Sequence, residues 1–350
     1  MLEKLFTRRF NIFKISGQTN MTWLFIIIKV LIGVIVFGAI YQFFATIRDR
    51  RKFLPPGKLI KIANHNWHYK IMGEGSPTVI VDSGAGATHL DWQFVQPEVA
   101  KFTRIFTYDR AGYGWSDLSS KPRTAEQVIS ELRQLLREAE IEPPYVLVGM
   151  SLAGLYSRLF AYYYPEEVAG MVLVDVAHER MYEDLPMEWV KLNQRLDWLS
   201  VYVLPIMARI GLFRLLVTLD RFPFLPGLFQ KMPTAVQPFA KAVYSQTQFG
   251  RAFAQESSGL SGSMKQVEQA RSTKPFPKIP LIALSAGKPD VAGTPEMLQK
   301  LQKLHAELAN DSPQGVHIIS PSSGHVMQLD DPKLIIDSIW NVVEKVRSSR

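Results

Sequence analysis

Short apolar runs and longer stretches with helical spacing alternate along most of the 350-residue chain. Each short run is rich in β-prone residues and ends at Gly, Asp or Ser, which is typical of strands buried on both faces of a parallel sheet. Helical spacing follows several of these runs and predicts helices that cover the sheet. We predict strands in residues 59–72 (one or two strands), 78–82, 104–108, 145–148, 170–175, 280–285 and 316–319, and a closing helix in residues 332–346.

This alternation stops for about 100 residues after the strand at 170–175. A structureless loop of that length is improbable inside a compact domain, so residues 178–276 are predicted to form a partly helical insertion. Its aromatic residues are expected mostly to pack within it; they are Trp189, Trp198, Tyr202, Phe213, Phe222, Phe224, Phe229, Phe239 and Tyr244.

Residues 21–47 are almost wholly apolar, with Lys29 the only charge. About 20 such residues suffice for a helix to cross a bilayer, and Trp23 and Tyr41 lie near its ends as interfacial anchors would. A cleaved signal peptide is the alternative, but the run is long and ends in a basic cluster without a small-x-small cleavage site. We therefore predict a basic tail (1–20), a transmembrane helix (21–47) and a basic, proline-containing linker (48–58).

The positive charge of the chain belongs to this first segment. Residues 1–52 hold nine Lys and Arg against two acidic residues, whereas the remainder holds 31 against 30, so the charge gives no case for nucleic-acid binding. Basic residues flank both ends of the apolar run, and the larger number on the C-terminal side weakly favours a cytosolic location for the domain that follows. The chain has no cysteine, which excludes disulfides and thiolate metal sites.

The sequence Gly-Met-Ser-Leu-Ala at 149–153 joins a predicted buried strand to a predicted helix. A sharp turn there would expose the Ser151 hydroxyl beside backbone N–H groups at a helix N-terminus, where an oxyanion can be held. The stretch resembles the nucleophile elbow, G-x-S-x-G, of the α/β-hydrolase family, with Ala153 in place of the second glycine. Residues 109–117, Asp-Arg-Ala-Gly-Tyr-Gly-Trp-Ser-Asp, also resemble a loop of this family, in which we expect Arg110 to pair with Asp109 or Asp117.

The resemblance covers about residues 59–347 and implies a fold. It is a mostly parallel eight-stranded sheet with helices on both faces and a helical cap inserted after the sixth strand. Residues 59–177 and 277–350 would form the core and residues 178–276 the cap, preceded by the transmembrane helix.

The resemblance also implies a catalytic triad in the chain order Ser, Asp, His. Ser151 would be the nucleophile and His325, after the last strand, the general base. Asp290 is the first choice for the acid, and Asp175, at the end of the preceding strand, is the alternative. The backbone N–H groups of Ala85 and Leu152 would form the oxyanion hole.

The implied activity is hydrolysis of carboxylic esters through an acyl-enzyme, with neither a metal nor an organic cofactor. The anchor and the apolar cap favour a lipid-like ester, because part of residues 201–229 could line an acyl pocket or touch the bilayer. A serine in the elbow argues against relatives with an aspartate nucleophile, such as epoxide hydrolases. An aminopeptidase-type amide hydrolase is a second interpretation, with acidic residues to bind an amine: Glu179, Glu183, Asp184 and Glu188. A non-catalytic, membrane-tethered ligand-binding protein with the same fold is a third.

Overall fold

The computed structural model describes residues 2–183, 185, 187–221, 227–291 and 293–349, with the backbone alone for residues 2–20 and for Val190. Phe222, Phe224 and Asp184, which the sequence analysis names, lie outside the described residues.

Eight strands form a single sheet in the order β1-β2-β4-β3-β5-β6-β7-β8. β1 and β2 are antiparallel to their neighbours, and β3 to β8 pair in parallel, which confirms the predicted fold. The strands are β1 (Lys58–Ile62), β2 (His65–Met72), β3 (Thr78–Asp82), β4 (Ile105–Tyr108), β5 (Tyr145–Met150), β6 (Val168–Val174), β7 (Leu281–Ala286) and β8 (Gly315–Ser320).

Helices cover both faces of the sheet, because alternate strand residues point to opposite sides. On β5, Leu147 packs with one buried cluster and Val146 and Val148 with the other. Both clusters are apolar, so the central strands read as continuous apolar runs. The helices outside the insertion are α1 (Leu2–Lys52), α2 (Gln96–Val99), α3 (Ala125–Glu138), α4 (Ala153–Tyr163), α10 (Pro295–Ala309), α11 (Met327–Asp330) and α12 (Pro332–Ser348), with short 3-10 turns at His89–Trp92 and Pro165–Glu167.

The insertion between β6 and β7 is a helical cap. A π-helical turn (Leu199–Val203) joins its first two helices, and a 3-10 turn lies at Phe229–Lys231. The cap helices are α5 (Met187–Trp198), α6 (Leu204–Arg209), α7 (Leu212–Thr218), α8 (Gln237–Tyr244) and α9 (Thr247–Thr273).

The long helix α9 caps α3 and replaces a local cap that the sequence suggests. Thr124 and Gln127 have the spacing of a capping box, but the Thr124 side chain makes no capping bond. Instead, Ser263 Oγ of α9 accepts the Ala125 N–H at 3.0 Å. A side chain from the cap insertion therefore caps the N-terminus of a core helix.

Helix α1 is long and apolar enough over Met21–Lys52 to cross a membrane. Residues 21–37 are exposed on every face, whereas Gln42 and Asp49 are buried against the cap. Arg214 of α7 pairs with Asp49 and donates to Gln42 Oε1 at 2.7 Å. The helix thus continues through residues 48–52, which the sequence analysis assigns to a linker, because its last turns pack on the folded cap.

Candidate active site

Ser151 lies at the turn between β5 and α4, as the sequence predicts. Its φ of +54° is in the left-handed region, which is uncommon for a residue with a Cβ. The Ser151 N–H donates to Val174 O at 3.1 Å, and its own carbonyl accepts the Gly154 and Ala177 N–H groups, so the surrounding backbone holds this conformation. Ser151 is partly exposed at the carboxyl edge of the sheet.

The small residues of the elbow differ in whether a Cβ fits at their position. A Cβ at Gly149 would lie 2.5 Å from Ser157 Oγ, and one at Gly154 would lie 2.3 Å from the Val176 Cβ. Ala153 is buried and keeps its methyl group. Both Gly149 and Gly154 thus require glycine, the second of them one residue after the usual motif, whereas alanine at 153 leaves the turn intact.

His325 follows β8 and reaches the serine. Its Nε2 lies 3.0 Å from Ser151 Oγ. Its Nδ1 lies 2.6 Å from Asp175 Oδ2, which fixes the ring orientation and leaves Nε2 free to accept the serine proton. Burial alone would lower the pKa of His325, but the hydrogen bond and charge of Asp175, with the charge of Asp290, raise it above its usual value.

The acid that the structure places on His325 is Asp175, the alternative of the sequence analysis, and not Asp290. Asp175 directly follows β6, with φ +45°, and its Oδ1 accepts the Ala286 N–H at 2.9 Å. Burial opposes ionisation of Asp175, but the hydrogen bond and charge of His325 lower its pKa below the usual value. Asp290 is exposed, and its carboxylate accepts the backbone N–H of His325 at 3.0 and 3.1 Å. Asp290 therefore holds the loop that carries His325 and does not touch the imidazole nitrogens.

A buried hydrogen-bond chain behind Asp175 was not foreseen from the sequence. His305 Nε2 lies 2.7 Å from the Val176 carbonyl, which can only accept, so Nδ1 of His305 is the acceptor for Ser285 Oγ at 2.7 Å. Ser285 Oγ in turn lies 2.8 Å from His317 Nε2. His305 Nδ1 is 3.9 Å from Asp175 Oδ1, so this chain packs directly behind the carboxylate. A lone histidine on the α10 pattern gives no sequence signal for this position.

The two expected oxyanion residues flank the serine. Ala85 and Ser151 line one cavity of about 60 Å³, and Leu152 follows Ser151 as the N-cap of α4. Gly84 allows this approach, because a Cβ there would lie 2.7 Å from Met150 Sδ and 3.1 Å from the Ser151 Cβ.

Arg110 supports the loop after β3 through hydrogen bonds to its backbone. It pairs with Asp82 and with Glu256 of α9, and its guanidinium donates to the carbonyls of Ser83 and Gly84. The expected partners of Arg110 were Asp109 and Asp117, and this expectation is wrong. The side chain points to the sheet edge, where two buried carboxylates balance its charge.

Asp109 instead contacts two histidines. Among the described residues, these three side chains form a group with the composition of a metal site. His68 Nδ1 lies 2.8 Å from one Asp109 oxygen and His89 Nδ1 lies 3.0 Å from the other. All three side chains are fully buried. Each ring pairs with its own carboxylate oxygen, so we interpret the group as a hydrogen-bonded support of the loop.

A cavity of about 230 Å³ opens beside Ser151 and His325. Ser151, Asp175 and His325 contribute to its wall, and the cap contributes Trp189 and Asn193 of α5. Most of its other lining residues are apolar; they include Val176, Ala177, Met181, Met297, Leu298 and Leu301. A mostly apolar lining of this kind, with Lys288 and Asp290 also in the wall, suits a ligand with a large apolar part.

Of the acidic residues proposed for amine binding, the three that the structure describes do not line this cavity. Glu179 is buried and bound by Arg158 and Arg271, and the Arg158 hydrogen bonds outweigh burial and lower its pKa to about 2. Glu183 and Glu188 are exposed, and neither lines the cavity in the described part of the chain.

The Alpha/beta hydrolase family model matches residues 79–338. The chain belongs to the α/β-hydrolase family. Residues 79–338 of this hydrolase contain the elbow, both candidate acids, the cap and the histidine.

Curated relatives share parts of this hydrolase. The uncharacterized protein YqjL of Bacillus subtilis is 36% identical over 115 residues, which are 33% of this chain and 45% of the relative. The uncharacterized vacuolar membrane protein YNL115C of Saccharomyces cerevisiae is 38% identical over 82 residues, 23% of this chain and 13% of the relative. The chain spans 20%, 45% and 55% of the length of the first three curated relatives that it matches.

Solved structures share the fold at low sequence identity. A thermophilic esterase from Thermogutta terrifontis has a TM-score of 0.61 and 19% identity, with 83% of this chain and 99% of that chain covered. At this identity the likeness shows the fold alone, so the substrate of this hydrolase must be argued from its own residues.

Proposed function

We propose that this protein is a membrane-anchored serine hydrolase of carboxylic esters, with Ser151 as nucleophile, His325 as general base and Asp175 as the acid. The observation that carries this proposal is the aligned pair of contacts, 3.0 Å from Ser151 Oγ to His325 Nε2 and 2.6 Å from His325 Nδ1 to Asp175. The three groups open into an apolar cavity, which supports an ester with a hydrophobic acyl part.

In the proposed reaction, Ser151 Oγ attacks the ester carbonyl and His325 Nε2 accepts the serine proton. The backbone N–H groups of Ala85 and Leu152 hold the oxyanion. The alcohol leaves with the proton from His325, which gives an acyl-enzyme. A water molecule then loses a proton to His325 and attacks the acyl carbon; the carboxylic acid departs and the proton returns to Ser151. Asp175 stabilises the imidazolium in both halves.

The residue type at the elbow separates this chemistry from that of fold neighbours. An epoxide hydrolase, CorEH, shares the fold with a TM-score of 0.62 and 17% identity. A carboxylate nucleophile attacks an epoxide carbon directly, whereas a serine needs a base such as His325 to remove its proton. A serine bound to a histidine therefore favours acyl transfer.

The proposed anchor is the exposed helical segment Met21–Lys52. Its apolar part is long enough to span the hydrocarbon core, and its basic end adjoins the catalytic domain. We place the catalytic domain on the cytosolic side, because basic residues are more frequent at that end.

Fluorophosphonate labelling of the full-length protein in detergent tests the nucleophile. The wild type is expected to label, and Ser151→Ala is expected to lose labelling and at least about 10³-fold in p-nitrophenyl ester turnover, because Oγ forms the covalent bond. Ser322→Ala, at an exposed serine near His325, is the matched control and should keep both.

The acyl chain length that gives the highest turnover then measures how long a chain the cavity accommodates. Turnover by Ser151→Ala near that of the wild type would remove the serine from the mechanism. A folded wild type that neither labels nor turns over esters would favour the ligand-binding interpretation.

A further inference from the structure

Three consecutive cap helices, α5 to α7, carry an exposed apolar surface, which we call the apolar cap face. Its members recur at helical spacing, so that one side of α5–α6 and one side of α7 are apolar and open. They are Trp198, Leu199, Tyr202, Ile206, Leu212, Leu215 and Leu219, each between 42% and 61% exposed. The opposite sides carry buried residues such as Leu204, Ala208, Phe213 and Val217, which already supply the packing of the cap.

A contact with α1 sets the depth of this face. The backbone of Gly38 touches the turn between α6 and α7: a Cβ at Gly38 would lie 2.3 Å from Ile210 O, and one at Gly211 would lie 3.0 Å from Gly38 O. Gly38 precedes Phe43, near the end of the apolar run, by five residues, which is about 7.5 Å along a helix. If the segment 24–43 fills the hydrocarbon core, the α6–α7 turn lies below the membrane surface.

Most charges around the face fit the same placement, and Asp197, next to Trp198, is an exposed exception. Within residues 198–221, all of which are described, Asp220 is the one acidic residue, and it is buried. The charged residues exposed there are basic, Arg209 and Arg221, and Arg48, Arg50 and Lys52 are exposed near the same end of α1. Basic residues at the edge of an apolar surface favour anionic lipid head groups.

We propose that the apolar cap face lies in the bilayer leaflet next to the catalytic domain, as a second membrane contact beside the anchor. The occupant of the face is thus lipid. Leu212, adjacent to the turn that touches Gly38, is at the centre of this contact, and Trp198 and Tyr202 lie toward α5.

This placement brings the bilayer to the helix that lines the active-site cavity. Trp189 and Asn193 of α5 line that cavity, and Trp198 ends the same helix on the apolar cap face. The nine residue steps from Trp189 to Trp198 correspond to about 13 Å of helix.

The absence of cysteine from the sequence makes a direct test simple. Leu212→Cys in the full-length protein is labelled with an environment-sensitive fluorophore and reconstituted into phosphatidylcholine–phosphatidylserine vesicles. Doxyl-labelled lipid quenches the probe from the hydrocarbon, and iodide quenches it from water. Phe37→Cys, in the 73%-exposed part of α1, is the lipid reference, and Ser261→Cys, exposed on α9 of the same cap, is the water reference.

The probe at residue 212 should lose as much fluorescence to doxyl lipid as the probe at 37 and resist iodide, whereas the probe at 261 should show the reverse. Leu215→Cys is the second position and should behave like Leu212→Cys, which guards against a local folding defect. Iodide quenching of both cap positions, with lipid quenching at 37, would overturn the proposal while leaving the anchor intact. Protection of both positions from both quenchers would indicate a protein contact and would also overturn it.

Discussion

At the scale of single residues, Asp175 occupies a more constrained position than any other candidate acid. Its two oxygens are used separately, one by His325 Nδ1 and one by the Ala286 N–H, and its backbone is in the left-handed region. Strain of this kind persists where surrounding contacts hold it in place. The position is therefore one from which the carboxylate can keep the imidazole in a single orientation.

Substitution of the two aspartates separates their roles. Asp175→Asn should lower kcat for a p-nitrophenyl ester by about 10³- to 10⁴-fold, because an amide cannot hold the productive tautomer or stabilise the imidazolium. Asp290→Asn is the matched variant and should change kcat far less, since an amide oxygen can still accept the His325 N–H. The opposite order of effects would return the acid role to Asp290.

The sequence alone could not distinguish these two aspartates. Both follow predicted strands at the carboxyl edge of the sheet, and β6 and β7 are neighbours, so either could face the histidine after β8. Only the path of the two loops decides: the Asp290 carboxylate meets the backbone of His325, and the Asp175 carboxylate meets its ring. Ser151 and His325 could be named as candidates because Ser151 directly follows a strand signal and His325 follows the last one by a short loop, each with small neighbours.

At the scale of elements, helix α9 joins the cap to the catalytic core through buried polar groups. Glu256 accepts from Arg110 Nε at 2.7 Å and from Tyr113 Oη at 2.8 Å. Arg110 in turn holds the carbonyls of the loop that carries Ala85. The cap and the loop that carries Ala85 thus share one buried cation, the Arg110 guanidinium.

Removal of Glu256 should destabilise the whole protein. Glu256→Ala leaves the buried Arg110 with Asp82 as its remaining carboxylate, and loss of one partner from such a pair costs about 3–5 kcal/mol. Denaturant unfolding of the full-length protein in detergent measures the change. Glu268→Ala, at an exposed position on the same helix, should stay within about 0.5 kcal/mol of the wild type. Equal stability of the two variants would show that Asp82 alone balances Arg110.

The elements were predictable where their packing leaves a simple pattern. Core strands such as β5 are apolar throughout because both faces are covered, and this pattern is readable. The cap helices are interrupted by a π-helical turn and by Gly211 with φ +79°, so no single period runs through them. The group that caps α3 has no local signal for a related reason: Ser263 is 138 residues distant in sequence.

At the scale of the whole molecule, the anchor and the cap form one packed unit. Gln42 Nε2 donates to Ser245 O at 2.7 Å, and Arg214 joins Asp49 of α1 to the cap. Pro55 and Pro56 of the linker predicted at 48–58 do lie between α1 and β1. However, composition gives no sign that residues 48–52 stay helical through contacts with α7.

Two glycines of α1 test this packing. Gly38→Ala should lower the stability of the full-length protein by about 1–3 kcal/mol, because the new methyl group would lie 2.3 Å from Ile210 O. Gly33→Ala is the control, since a Cβ there meets nothing within 4 Å. Thermal unfolding in one detergent compares both with the wild type. If Gly38→Ala matches Gly33→Ala, the anchor does not depend on this contact.

The unbroken course of α1 has a mechanical consequence. A domain on a loose tether samples many heights and tilts, whereas the contacts of Gln42 and Asp49 with the cap couple the orientation of this domain to that of α1. The opening of the cavity then keeps a fixed orientation relative to the membrane plane. For a bilayer-dissolved ester, encounter becomes a two-dimensional search, and turnover follows the mole fraction of substrate in the membrane rather than its bulk concentration.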